Sequence, residues 1–329
     1  MKLRKISKEN IFSRIGRQDR PWQEGYLSMY SSQWQGVTID SELMMIPIDD
    51  HLVHRGDGVF DVMRCIRGRI YQMEQHLQRL QRSAEAISLD LPSDYSEVRS
   101  IVKQLVLLGG EKDCLIRVVL SRGPGSFGIS PHDCPASQMY INVTRFHDLP
   151  NEYYKEGIPL VTSSIPIKKS FFANIKSCDY LPNVLMKMEA LGQGCQYSVA
   201  LDEEGFLAEG STENIGVLSP DRTLKFPGLE RTLSGTTVRR IFQLADVLVK
   251  EKIIKDVKFD QISPEDAYDG KEMFLTGTSL NILPVVSYDE RCIGDGVPGP
   301  VYSKLSALLW KDMTENQERL APIDWDRKE

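Results

Sequence analysis

The run from Ala173 to Asn214, ANIKSCDYLPNVLMKMEALGQGCQYSVALDEEGFLAEGSTEN, limits the possible folds more than any other stretch of the chain. Lys176 stands among small and apolar neighbours, and Leu181, Val184, Leu185, Met188 and Leu191 then recur at helical spacing. Tyr197 to Asp202 is a short β-rich run, Glu203-Glu204-Gly205 a turn, and Phe206 to Glu209 extends again. A helix followed at once by a hairpin requires a mixed α and β architecture. The hairpin delivers Glu209 and a Gly-Ser-Thr loop.

The remaining elements follow in order. Residues 1–36 are polar and aromatic-rich without a clean period, and read as an irregular N-terminal extension. Val59 to Ile66 is strand-like, Arg67-Gly68-Arg69 turns, and Ile70 to Met73 returns. His76, Leu77, Leu80, Ala84 and Ile87 outline an amphipathic helix carrying Arg79, whose plain reading is a solvated face. Tyr95 to Leu108 is a second helix closed by Gly109-Gly110. Cys114 to Ser121 is a buried strand bearing Arg117, followed by the turn Arg122-Gly-Pro-Gly125 and the strand Met139 to Val143. The pattern therefore separates a smaller domain at 37–150, a linker at 151–157 and a larger domain at 158–329.

Beyond the hairpin, Leu233-Ser-Gly-Thr-Thr237 opens a helix over Val238 to Leu248. Such a helix start binds anions, through its unpaired N–H groups and the helix dipole, or is simply a hydroxyl cap. Met273 to Leu275 runs into the turn Thr276-Gly-Thr-Ser279, residues 301–313 form a terminal amphipathic helix, and the tail from Thr314 reads as loose. No internal repeat or low-complexity tract is present.

A partly desolvated lysine loses its charge easily and becomes a nucleophile for a carbonyl. A carboxylate delivered beside it could hold a pyridinium proton, the condition that makes pyridoxal phosphate (PLP) an electron sink. Taken alone, Lys176 reads first as a solvated loop residue. The strings IKSCDYLPNVLMKMEA and ALDEEGFLAEGSTENIGVL, however, closely resemble the lysine and glutamate segments of the fold-type IV (class IV) PLP enzymes. That family includes branched-chain aminotransferases, D-amino-acid aminotransferases and aminodeoxychorismate lyases. RGDGVFD with HLQRLQRSA, LSGTTVRRIFQLA and the TGTS turn resemble further signatures of the family, and together they span about Val37 to Met313.

The resemblance implies a fold of class α+β or α/β, with two domains and PLP in the cleft between them. It implies that Lys176 bonds covalently to PLP and shuttles the substrate proton, that Glu209 faces the pyridine nitrogen and that Tyr180 bonds the ring 3′-oxygen. A surface tyrosine is the other reading of Tyr180. Arg79 would clamp the phosphate, which a planar bidentate donor suits, assisted by Thr236, Thr237 and Thr278, although Thr236 replaces the usual apolar residue. Ser279 would meet the substrate carboxylate. Phe60, Arg64 and Arg117 match the substrate pocket of branched-chain aminotransferases, though the two arginines could equally be structural. Leu115 replaces a carboxylate-binding tyrosine of that group, and Asp179 stands where most relatives have Asn.

The implied activity is transamination between an amino acid and a 2-oxo acid, by a homodimer whose subunits share active-site loops. KSCDYLPNVLMKMEA, SRGPG, LSGTTVRR and IGDGVPGPV look most like the D-amino-acid aminotransferase-like group. The Arg and His that trap the carboxylate in studied D-amino-acid enzymes are replaced by Phe127 and Ile129. An aminodeoxychorismate lyase is the rival activity, although Asp61-Val-Met lacks the hydroxyl pair of the bacterial lyase. A non-catalytic PLP-binding homologue is the alternative of another class, opposed by an intact Lys176, Arg79 and Glu209.

Other classes fit poorly. A net charge of -6 argues against a nucleic-acid surface, and no apolar run approaches a membrane span or a signal peptide's core. Five scattered histidines offer no metal-ligand spacing. Six scattered cysteines read as free thiols in a reducing cytoplasm, and Cys178 lacks a nearby base that would make it a nucleophile.

Overall fold

A computed structural model describes residues 6–8, 10–15, 20–168 and 170–326 of the 329-residue chain. The strands in chain order are β1 (Tyr26–Ser31), β2 (Gly36–Thr38), β3 (Gly58–Ile66), β4 (Arg69–Tyr71), β5 (Cys114–Ser121), β6 (Gln138–Arg145), β7 (Ile158–Ser163) and β8 (Tyr197–Leu201). They continue as β9 (Leu207–Gly210), β10 (Asn214–Leu218), β11 (Thr223–Phe226), β12 (Asp256–Phe259), β13 (Glu272–Gly277), β14 (Asn281–Tyr288), β15 (Arg291–Cys292) and β16 (Leu320–Pro322). The five long helices are α1 (Met73–Ala86), α2 (Tyr95–Gly109), α3 (Leu181–Gly192), α4 (Thr236–Lys250) and α5 (Pro300–Glu315).

The strands form two sheets. The first is antiparallel, in the order β16-β4-β3-β5-β6-β1-β2. The second is mixed, in the order β12-β11-β10-β13-β14-β7-β8-β9 with β15 beside β14.

Alternation explains the first sheet. On β3, Val59, Met63 and Cys65 point into a core shared with Ile116 and Val118 of β5, Leu77 and Leu80 of α1, and Val98 and Val102 of α2. Burying a side chain such as Leu80 is worth roughly 1.5–3 kcal/mol. Asp94 caps α2 by accepting from Glu97 N, and Gly110 closes it in the left-handed conformation. The β3–β4 hairpin turns through Arg67 and Gly68, both at positive φ.

A second core joins the two sheets, packing Ile66, Tyr71 and Leu320 against α4 and α5. Asp312 of α5 accepts from the Tyr71 hydroxyl at 2.5 Å and from Arg240 Nε at 2.9 Å, so one buried carboxylate ties β4 to both helices.

Three expectations are overturned. Residues 26–38 are not irregular: β1 and β2 complete one side of the first sheet, with Ser28 and Ser31 buried among the apolar residues. Residues 1–5, 9 and 16–19 of the expected extension lie outside the described residues. The tail does not hang loose: α5 runs to Glu315 and β16 pairs with β4 at the opposite edge of that sheet. Within 151–157, Asn151–Glu156 is a short helix rather than a plain linker. It ends at Gly157 (φ +82), where a Cβ would meet Val286 Cγ1 at 2.3 Å.

Candidate active site

Between the sheets lies a cavity of about 580 Å³, into which the functional side chains converge. One wall is the face of β3 and β5 turned away from the core. Phe60 and Val62 stand opposite Val119 and Arg117 in register, with Leu115 next along β5. The lysine segment lies against the start of β3: Phe60 N donates to Lys176 O at 2.9 Å and Cys178 N to Gly58 O at 2.8 Å. Ser83 of α1 accepts from Lys176 N at 3.1 Å.

These contacts aim the Lys176 side chain into the cavity, with Nζ 3.1 Å from the Tyr180 hydroxyl and 4.7 Å from the centre of the Phe60 ring. Burial, and after it the Arg79 charge, lowers the Lys176 pKa to about 8. The amine is therefore neutral, and nucleophilic, far more often than a surface lysine. Burial also raises the Tyr180 phenol, with the nearby Glu209 carboxylate adding to it.

Glu209 is delivered by the β8–β9 hairpin, as the sequence pattern predicts. Its Oε2 accepts from the N–H of Leu233, a cavity-lining residue, at 2.8 Å. Burial pushes its carboxyl up to about 7. A carboxyl perturbed in this way would be returned to its ionised form by a cationic ring placed against it.

The opposite end of the cavity is an anion cradle. Thr236 and Thr237 form the first turn of α4, where no side chain caps the helix and the leading N–H groups are unpaired within it. Gly235 precedes them, and a Cβ there would strike Asn214 Oδ1 at 2.1 Å. Arg79 also lines this end. Its Nε and Nη2 each donate to Asp61 at 2.7 Å, and its Nη1 lies 3.5 Å from Ser234 O. Asp61 is fully buried, and Arg79 and His76 together hold its carboxyl far below the usual range despite that burial. His76 Nδ1 meets Asp61 Oδ1 at 2.7 Å and its Nε2 faces Thr236 Oγ1 at 3.3 Å. Burial lowers the pKa of this histidine against the opposing pull of Asp61, and an unbroken chain Arg79–Asp61–His76–Thr236 results.

Lys176, Tyr180, Arg79, Thr236, Thr237, Thr278, Ser279, Phe60 and Arg117 all line this one cavity. Arg64 does not. Its guanidinium crosses the Phe146 ring at 3.7 Å, donates to Asn281 Oδ1 at 3.3 Å and approaches Asp148 at 3.8 Å, so it braces β3 against the second sheet. Cys178 lines the cavity as a thiol, its pKa pushed up to about 12 by burial.

The sequence reading missed Asp61 as an anchor, together with His76 and Thr276. The signal for the first two was present: Asp61 occupies a core-facing position of β3, between Val59 and Met63, and His76 and Arg79 lie three apart on one face of α1. No comparable signal marks Thr276, whose hydroxyl is buried at the cavity with no hydrogen-bond partner among the described residues.

These features fit PLP: an N–H-rich phosphate cradle with an arginine, a carboxyl raised by burial, an amine lowered by it, and an unsatisfied hydroxyl on the wall. The model of the family "Amino-transferase class IV" matches residues 58–288. The chain belongs to the class IV aminotransferases. It is a PLP-dependent transaminase, moving an amino group between an amino acid and a 2-oxo acid. It is 41% identical over 289 residues to the chloroplastic D-amino-acid transaminase of Arabidopsis thaliana, covering 88% of this chain and 77% of that protein. It is 29% identical to a putative branched-chain-amino-acid aminotransferase of Methanocaldococcus jannaschii, covering 82% and 92%. The Escherichia coli branched-chain amino acid aminotransferase shares its fold, with a TM-score of 0.83 at 24% identity over 91% of this chain and all of that one.

Proposed function

We propose that this class IV aminotransferase acts on D-amino acids, with Lys176, Glu209, Tyr180 and Arg79 serving the cofactor. The observation behind the residue roles is a depressed amine and an anion cradle on one cavity, with a raised carboxyl behind its wall at Leu233. The 41% identity to a D-amino-acid transaminase favours the D hand. Branched-chain amino acids are the second reading, favoured by the apolar wall of Leu52, Phe60, Val62, Leu115 and Val119.

When bound, PLP supplies a sink for the electron pair left on the substrate α-carbon. Arg79, pre-aimed by Asp61, and the N–H groups of Thr236 and Thr237 hold its phosphate, with Thr278 completing that end. Glu209 would hold the proton on the ring nitrogen, and Tyr180 would bond the ring oxygen. Lys176 Nζ would hold the cofactor and, as a free amine, would take the α-proton and return it as general acid. Arg117 and Ser279 receive the substrate carboxylate. Arg117 stands exposed on β5 with no acid partner among the described residues, so its charge is available.

The assembly is a homodimer in this reading. The apolar stripe of α3 faces outward: Leu181 is 64% exposed, Val184 51% and Met188 62%, whereas Met186 and Ala190 face inward. Phe127 and Ile129, exposed in the loop after β5, lie on a surface a second copy would cover. Sedimentation should give twice the chain mass for the wild type and monomer for Met188→Glu. The reading also places the enzyme in a reducing compartment, the cytoplasm, since all six cysteines are unpaired. Among the described residues, no helix is long and apolar enough to cross a membrane.

The deciding experiment follows the visible absorption of the holoenzyme with D-alanine, L-leucine, L-glutamate or aminodeoxychorismate in separate cuvettes. Bleaching by D-alanine and recovery with 2-oxoglutarate are expected. Bleaching only by an L-amino acid would refute the D assignment, and pyruvate release from aminodeoxychorismate without bleaching by amino acids would make the enzyme a lyase.

A further inference from the structure

A second cavity, of about 350 Å³, opens on the other side of the first turn of α4 and shares Thr236 with the phosphate cradle. Four arginines line it: Arg82 from α1, Arg239 and Arg240 from α4, and Arg319 from the segment leading into β16. The rest of its lining is glutamine, serine and threonine, with no acidic residue.

Among the described residues, only one of these charges has an acidic partner. Arg240 is paired with Asp312. Arg239 Nε donates to the Ser234 hydroxyl, which is neutral. Among the described residues, the Arg82 and Arg319 side chains have neither a hydrogen bond nor an ion pair. Three unmatched guanidinium groups around one cavity repel one another, and the neutral amide and hydroxyl groups between them cannot cancel the charge. The planar forks of arginine match phosphate oxygens two at a time, and the glutamine amides add donors at fixed positions.

We propose that this cavity is a second anion site, separate from the cofactor's, for a small ligand carrying two or more phosphate groups. The number of unmatched charges and the cavity volume argue for a diphosphate rather than a single phosphate. The site adjoins the cofactor's own anchor, since Ser234 lines it while its carbonyl faces Arg79 Nη1. An occupant would therefore order the turn that holds the cofactor phosphate and slow cofactor loss. The inference is independent of substrate and of its hand.

The test is calorimetric titration of the holoenzyme with inorganic pyrophosphate, the resident cofactor keeping the first cradle filled. Saturable one-to-one binding is expected, weakened at least about tenfold in Arg82→Gln/Arg319→Gln, since each removed contact is a charge-assisted one. A melting curve establishes that the double variant is folded. Should it fail to fold, Arg82→Gln alone, at an exposed position, should still weaken binding several-fold. Absence of saturable binding to wild type, equal binding by a folded variant, or equally tight binding of citrate would each overturn the proposal.

Discussion

At one end of the main cavity Arg79 is buried, bound through two 2.7 Å hydrogen bonds to Asp61, and backed by His76 and Thr236. At the other, Arg117 stands exposed on β5, opposite Val62, with no acid beside it among the described residues. Both are arginines suited to an anion, but they are prepared differently. The Asp61 carboxylate offsets the burial cost of Arg79 and fixes its fork before any ligand arrives. Arg117 has given up little hydration, so its charge is left for whatever anion enters. A cofactor that stays bound suits the first arrangement, and substrates that come and go suit the second.

The largest break in this comparison should come from Lys176, which lines the same cavity as both arginines. Lys176→Ala should lower single-turnover transamination by at least about a thousandfold, since it removes both the nucleophile and the proton carrier. Transamination at the normal rate would remove this residue from the mechanism.

Asp61→Asn should come next. It leaves Arg79 buried without its counter-charge, and should destabilise the apoprotein by about 3–5 kcal/mol in denaturant titrations. It should also weaken cofactor retention. Arg117→Gln should do the reverse, raising the substrate KM about tenfold to a hundredfold while leaving stability within about 0.5 kcal/mol of wild type. Equal stability losses in the two variants would erase the distinction between the ends.

A further effect concerns pH. Burial depresses the Lys176 amine from 10.5 to about 8, so the folded apoprotein resists its protonation. The sign follows: the unfolded chain binds this proton more readily, and stability falls as pH drops from 10.5 through about 8. Lys176→Met should therefore stabilise the apoprotein by about 2–3 kcal/mol at neutral pH, and the gain should vanish at strongly alkaline pH. Cofactor capture by wild-type apoprotein should accelerate with pH up to about 8 and then level off.

The parts of the fold legible in sequence are those with strong local signals. The β8–β9 hairpin carries its own turn at Glu203–Gly205, α2 has both caps, and β5 alternates cleanly between core and cavity. Strands β1 and β16 were hidden because each is stabilised by its partner rather than by its own pattern: β1 buries serines, and β16 is three residues paired with β4 from across the chain. The helical stripe of α3 was readable as a period, but the period does not say which way it faces, and it faces out.

The candidate site divides similarly. Lys176, Glu209 and the α4 turn stand out in the sequence because each lies in a contiguous motif. The role of Asp61 depends on α1 packing against β3, and Arg64 is drawn away by Asn281 and Asp148, far along the chain. Such contacts arise only in three dimensions.

The most direct test of the central claim is borohydride reduction of the holoenzyme, followed by peptide mass mapping. The cofactor mass should be found on the peptide containing Lys176. Lys168 provides the contrast, because its Nζ also reaches this region, 3.1 Å from Ser177 Oγ and 4.8 Å from the centre of the Tyr180 ring. Cofactor fixed on Lys168, or on no lysine, would contradict the account.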